Sequence, residues 1–277
     1  MTPDAYPAAS FADCVSSALD RCRTALSDLQ QPQSWAKRNI FGRDEPVNEA
    51  DIEVERILVG ALRALDPGLP VVAEEQHPEL AGHMPDRCAV IDPIDGTVPF
   101  LQGVPFYGIT VCLVEEGRPA SAIVDLPAFG IRVHAAPGLG LQVEGDLARL
   151  PDFGPGSVLV SPAQLLQVRD SARDAGFTIV EAVPTTSVKM TLVALGRADA
   201  AVRIPAATVP VAPWDYAAPA LIVSEAAGTV LDDQDRNLAA TTPAPVSGWL
   251  ACCSASLARP LRQLMTPATE GHDHGNG

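Results

Sequence analysis

Basic residues are scarce in this 277-residue chain: Lys and Arg total 19 against 34 Asp and Glu, for a formal net charge of −15. That balance excludes a protein that grips nucleic acid polymers, whose phosphate backbones are held by basic patches. No run of about 18 uncharged apolar residues occurs, so no helix crossing a membrane is predicted. The opening MTPDAYPAAS lacks a basic segment followed by an apolar one, and we expect a cytoplasmic protein. Six cysteines (Cys14, Cys22, Cys88, Cys112, Cys252, Cys253) are scattered without CxxC spacing, which argues against a zinc ribbon or a disulfide framework and for buried free thiols. Of five histidines, His272 and His274 fall in a terminal stretch, 271–277, read as a frayed tail, leaving too few for a histidine-built metal centre. No internal repeat is present. What remains is ordinary globular composition, 47% hydrophobic and 19% charged, in a chain long enough for one large domain or two smaller ones.

Phe11, Val15, Ala18, Cys22, Ala25, Leu26 and Leu29 recur at helical spacing and predict a first amphipathic helix. The polar segment 31–46, interrupted by Pro32, Gly42 and Pro46, reads as a loop. A second helix carries Val54, Ile57, Leu58, Ala61, Leu62 and Leu65 behind Asn48 as its N-cap. Strands are predicted at 71–73, 89–91, 108–114, 120–126 and 131–135. Past a Gly- and Pro-rich stretch the pattern becomes alternating, with strands at 157–160, 178–183, 198–202 and 248–253 and helices at 164–174, 187–195 and 215–227. We therefore expect a two-part α and β protein, 1–145 and 146–270, with a boundary near residue 145.

Three acidic clusters stand where a strand ends or a helix begins, the places where open α/β architectures present ligand groups. Glu74 and Glu75 follow the apolar run VVA; Asp92 and Asp95 lie in AVIDPIDGT; Asp215 follows Trp214 at the head of an apolar helix. Hard cations such as Mg²⁺ take oxygen ligands, and Asp92, Asp95 and the Ile94 carbonyl offer them together. Gly96 permits close backbone approach, and Thr97 opens a short helix in which Pro99 fits the first turn. Each fragment also has a plain reading: Asp-Pro and Asp-Gly are turn dipeptides, Asp215 serves equally as an N-cap, and Asp51 as an acidic first-turn residue. Taken together, however, no basic residue lies within three positions of Asp92, Asp95 or Asp215. Such a group repels itself unless a cation is bound.

IDPIDGT at 91–97 resembles the DPxDGT signature of the inositol monophosphatase family, the magnesium-dependent, lithium-sensitive phosphatases, and WDYAAPALIVSEAAG at 214–228 resembles its WDxAA…EAGG signature. AEEQ at 73–76 is similar to the family's Gly-Glu-Glu element, with Ala73 in place of glycine, and NEAD at 48–51 to its Thr-x-x-Asp element. The resemblance runs from about Phe11 to Leu264. It implies a layered αβαβα sugar-phosphatase fold, usually homodimeric, and a phosphomonoesterase that hydrolyses a small-molecule phosphate ester with metal-activated water. It further implies that Glu74, Asp92 and the Ile94 carbonyl hold one Mg²⁺, that Asp92, Asp95 and Asp215 hold a second, and that Glu74 borders a third. Asp51 and Thr97 would orient the attacking water, and the amides of Gly96 and Thr97 would bind phosphate.

Departures bear on the substrate. Pro99 replaces the asparagine of DGTxNF, the lysine upstream of the Thr-x-x-Asp element has only Lys37, Arg38 and Arg43 as equivalents, and no acid lies between Asp199 and Asp215 to meet inositol hydroxyls. Ser187, Lys189 and Arg203 resemble positions of the 3′(2′),5′-bisphosphate nucleotidases and form an expected substrate wall; a helix-surface lysine and a strand-end arginine are the plain alternative. Histidinol phosphate is a further candidate substrate, and a catalytically silent metal- or anion-binding homologue the alternative from another class.

Overall fold

The computed structural model describes residues 8–29, 32–75, 83–205 and 210–265. The terminal stretch with His272 and His274 lies outside them, as do residues 206–209 ahead of Trp214. The first helix, α1 (Ala8–Asp28), buries Phe11, Val15, Ala18 and Cys22 as its spacing predicts, and Leu19 beside them. Most of the segment 31–46, expected as a loop, lies in a hairpin of β1 (Ser34–Arg38) and β2 (Asp44–Asn48). The strand pattern is silent there because most of the hairpin faces solvent, so no apolar alternation marks it. Its turn is set by Asn39, whose Oδ1 accepts the N–H groups of Phe41 and Arg43, and by Gly42 at φ 73°.

Asn48 closes β2 and caps α2 (Glu49–Leu65): its side chain accepts from Ala50 and Asp51, while Asp51 Oδ2 accepts the Asn48 N–H at 2.8 Å. This reciprocal pairing satisfies amides that lack intrahelical partners. There follow β3 (Val71–Ala73), β4 (Cys88–Asp95), the short helix α3 (Thr97–Leu101), β5 (Gly108–Glu115), β6 (Arg118–Leu126), β7 (Ile131–Ala135) and β8 (Leu141–Glu144). They build a six-stranded sheet in sequence order, β3 parallel to β4 and every later neighbour antiparallel.

Between Glu144 and Gly154 the chain passes to a second sheet. Its elements are β9 (Gly154–Val160), α4 (Leu165–Asp174), β10 (Ile179–Ala182), α5 (Thr186–Ala194), β11 (Ala198–Arg203), α6 (Pro213–Glu225), β12 (Thr229–Asp232), β13 (Trp249–Cys252) and α7 (Ala258–Leu264). The sheet order is β10-β9-β11-β13-β12, with β13 antiparallel to both β11 and β12. The sequence pattern misses β8, β12 and α7, each only four to seven residues long and too short to show a period.

Three apolar clusters define five layers. α1 and α2 cover one face of the six-stranded sheet. α5 and α6 lie between the two sheets, and α4 and α7 close the outer face of the five-stranded sheet. This is the αβαβα arrangement that the resemblance implies. A helix buried on all sides must be apolar or small all round. TSVKMTLVA and PWDYAAPALIVSE, the sequences of α5 and α6, meet that condition apart from Lys189, Asp215 and the terminal Glu225. Among the described residues, no helix is long and apolar enough to cross a membrane. The cysteines there are free thiols, four of them buried.

Candidate active site

Residues three apart on a regular strand point to opposite faces of the sheet. Asp92 and Asp95 escape this because β4 bulges: Asp92 pairs with Thr110 and Asp95 with Gly108, so three steps on β4 match two on β5. Pro93, which has no N–H for the ladder, sits in the bulge. Both carboxylates thus reach one place, and Asp215 joins them from the first turn of α6. Single carboxylate oxygens of the three lie within 4.8 Å of one another.

Each side chain has a local reason for its position. Asp215 is the third residue of α6, behind Pro213 at the start, and its Oδ2 accepts the Ala212 N–H at 3.0 Å. It thereby caps the helix from inside rather than as the N-cap. Asp95 Oδ2 accepts the Ser187 N–H at 2.5 Å, a bond from the first turn of α5. Asp92 is 1% exposed, and its buried Oδ1 has no hydrogen-bond partner. Burial, followed by the carboxylates of Glu74, Asp95, Asp215 and Asp51, drives the Asp92 carboxyl far above its ordinary range. Burial and then Asp95 push Asp215 up to about 7.

A buried anion without a partner is costly, and clustered anions more so. An all-oxygen donor set with one orphaned carboxylate oxygen is the environment that a hard divalent cation satisfies. The residues present therefore fit Mg²⁺. Glu74 stands outside the tightest group but in the same field: burial raises its carboxyl well above the usual range, with Asp215 among the contributors, while Lys37 opposes the rise.

The second helix brings Asp51 to the exit of β4. Its Oδ1 lies 3.4 Å from Thr97 Oγ1, which is equally 3.4 Å from the Ile94 carbonyl. Asp51 thus completes the α2 cap through Oδ2 and faces Thr97 through Oδ1. Burial raises its carboxyl to about 7. Between these groups Gly96 adopts φ 101°, and a Cβ there would stand 2.3 Å from Thr185 Cγ2. Only glycine fits this position.

A cavity of about 250 Å³ opens over the site, lined by Glu74, Asp215, Trp214 and Arg203 from the layered core and by Asn39, Phe41, Arg43 and Glu45 from the β1–β2 hairpin. The hairpin's share of this wall has no sequence signal beyond the basic residues Lys37, Arg38 and Arg43. Of these, Arg43 lines the cavity, and Lys37 Nζ lies 2.6 Å from Glu75, 3.2 Å from Glu45 and 3.5 Å from Glu74. Asn39 Nδ2 donates to the other Glu45 oxygen at 2.7 Å, tying the turn to the same cluster.

Of the expected substrate wall, Arg203 reaches the cavity; Ser187 and Lys189 do not, since both are fully buried in α5 between the sheets. Ser187 contributes its backbone N–H to Asp95. Lys189 Nζ donates to Ser161 Oγ at 2.8 Å and lies 5.2 Å from the centre of the Trp249 ring. Burial, with Arg203 adding to it, lowers the Lys189 ammonium to about 7. It is thus neither a surface lysine nor part of the cavity wall. Lys37 and Lys189 are the only two lysines in the sequence, and the fold brings both to this region.

Three carboxylates converge at one end of a layered α/β core, beside a small cavity, in an arrangement that fits a divalent cation. The model of the inositol monophosphatase family matches residues 14–255, and the chain belongs to that family and is a phosphatase. It is 33% identical over 217 residues to the histidinol-phosphatase of Chlorobaculum parvum, covering 74% of this chain and 77% of that one. With the 3′(2′),5′-bisphosphate nucleotidase CysQ of Salmonella typhimurium it shares 28% identity over 228 residues, covering 78% and 89%. The solved structure of an IMPase/NADP phosphatase complexed with Mg²⁺ and phosphate has the same fold, with a TM-score of 0.76 at 18% identity, covering 95% of this chain and 97% of that one.

Proposed function

We propose that the chain is a Mg²⁺-dependent phosphomonoesterase of small phosphate esters, a reading carried by the convergence of Asp92, Asp95 and Asp215 around the unpartnered Asp92 Oδ1. Glu74, Asp92, Asp95, Asp215 and the Ile94 carbonyl are the groups to hold the two to three ions that the family resemblance implies. When bound, a divalent ion makes water more acidic and stabilises charge gathering on phosphoryl oxygens.

The protein's own part is orientation. Thr97 has a single hydroxyl hydrogen and two acceptors within reach, Asp51 Oδ1 and the Ile94 carbonyl. Directing that hydrogen inward leaves the hydroxyl lone pairs to accept from the attacking water, whose proton passes toward Asp51. Gly96, without a side chain, lets the backbone amides of Gly96 and Thr97 approach a phosphate. Positioning of this kind removes much of the entropic barrier to an in-line displacement.

Arg203 in the cavity wall beside Asp215 favours a substrate with a second anionic group, as in a bisphosphorylated nucleotide. Phosphate release in the presence of Mg²⁺ is to be measured on inositol 1-phosphate, fructose 1,6-bisphosphate, 3′-phosphoadenosine 5′-phosphate and histidinol phosphate. Release from at least one, lost in Asp95→Asn, supports the proposal. No release from any, with full Mg²⁺ uptake, favours a silent metal-binding homologue. Arg203→Ala should raise KM for bisphosphates more than for monophosphates; equal effects would remove the second-anion reading. A cytoplasmic homodimer, with 1–145 and 146–270 as its two parts, completes the proposal.

A further inference from the structure

Glu55 is fully buried on α2, one helical turn beyond Asp51 and surrounded in sequence by the core residues Val54, Ile57, Leu58 and Leu62. The sequence reading gave it no role. A wholly buried carboxylate is costly unless it accepts strong hydrogen bonds, and here Glu55 Oε2 accepts the Glu75 N–H at 2.8 Å.

The place it reaches needs such a hold. β3 is a three-residue edge strand ending at Ala73. Glu74 makes a further rung, its N–H reaching the Ile91 carbonyl at 3.3 Å, and the next amide, that of Glu75, turns to Glu55 instead. Lys37 then pairs with the Glu75 side chain at 2.6 Å. The Glu74–Glu75 backbone is thus gripped from the helix layer beneath it at the point where it leaves the sheet.

Resting on the phosphatase reading above, we propose that Glu55 is a positioning residue of the metal site. By accepting the Glu75 amide it sets where Glu74 stands relative to Asp92. Asp51 and Glu55 are four residues apart and share one face of α2. That helix therefore holds the water-orienting group and the peripheral metal ligand at a constant separation, Asp51 through Thr97 and Glu55 through Glu75.

The test is calorimetric titration of metal-free protein with Mg²⁺, beside the Mg²⁺ dependence of phosphate release. Glu55→Ala should weaken Mg²⁺ binding by about tenfold or more, the scale of lost support behind a metal ligand, and raise the half-maximal Mg²⁺ concentration by the same factor. With Mg²⁺ saturating, kcat should recover to within about threefold, because the ligands themselves are intact. Glu55→Gln, whose amide oxygen accepts the same bond, should restore wild-type Mg²⁺ affinity. If Glu55→Ala fails to fold, Glu55→Asp decides: its carboxylate is one methylene short of the Glu75 amide, so the same weakening is expected. Wild-type affinity in Glu55→Ala or Glu55→Asp overturns the proposal, as does equal loss in Glu55→Gln. Should the wild-type protein take up no Mg²⁺, the phosphatase reading itself falls; binding by wild type with no change in the variants removes this inference alone.

Discussion

Asp92 and Asp125 are fully buried carboxylates on the same sheet, one on β4 and the other on β6, with β5 between them. Asp125 is met by two guanidinium groups: Arg23 donates through Nε and Nη2 at 2.9 and 2.7 Å, and Arg132 through Nε at 2.9 Å. Arg132 also reaches Asp20, so the cluster fastens α1 to the sheet. For Asp92 the charged groups that shift it most are all carboxylates, and one of its oxygens has no hydrogen-bond partner. A carboxylate with a structural task is neutralised from within the chain. One with a chemical task is left for a cation that comes from solution.

The widest separation between the two should come from replacing each by its amide. Asp92→Asn is expected to lower kcat/KM by about a thousandfold, roughly 4 kcal/mol of barrier, while leaving metal-free stability equal or higher because like charges are relieved. Phosphate release and denaturant titration in EDTA check the two halves of that statement. Asp125→Asn should do the reverse, costing about 3 kcal/mol of stability through an uncompensated buried guanidinium while the folded fraction keeps its activity. If both variants lose activity and stability in parallel, the distinction between the two carboxylates fails.

Mg²⁺ itself should tell them apart. At about one hundred times its dissociation constant, the ion should stabilise wild-type protein by roughly 2.7 kcal/mol, and Asp125→Asn equally, but Asp92→Asn far less. Thermal melting with and without Mg²⁺ measures this.

A change of pH sharpens the comparison further. In metal-free protein the Asp215 carboxyl is raised to about 7, above its unfolded value of about 3.8, so the folded state holds a proton that the unfolded state has released. Its contribution is complete below about pH 4 and is lost as pH rises through about 7. The stability of wild type relative to Asp215→Asn should therefore decline across that window in EDTA, and saturating Mg²⁺ should abolish the decline. A flat difference in EDTA would show that the site tolerates its own charge.

Much of the site is legible in the sequence because its signals are local. Asn48 and Asp51 form a cap within four residues, and Asp92, Pro93, Asp95 and Gly96 hold a bulge and a left-handed turn in a single run. What escapes notice is made by contacts remote in the chain. The hairpin over the cavity has no apolar alternation, since its function is to cover rather than to fill. Glu55 reads as a charge on an amphipathic helix until the amide of Glu75, twenty residues on, is seen to meet it. Lys189 is misjudged for the opposite reason: nothing near it in sequence says that α5 will lie between two sheets.

The amino-acid sequence by itself determined which acidic side chains stand at strand ends and helix starts, and where α2 is capped, because those outcomes depend on bonds among near neighbours. Only the tertiary structure decided which charges meet. Electrostatic energy depends on distance through space and on exclusion of water, and both are set when sheets and helices pack. Packing gave Asp125 its two arginines, brought Lys37 to Glu75, and left Asp92 facing other acids.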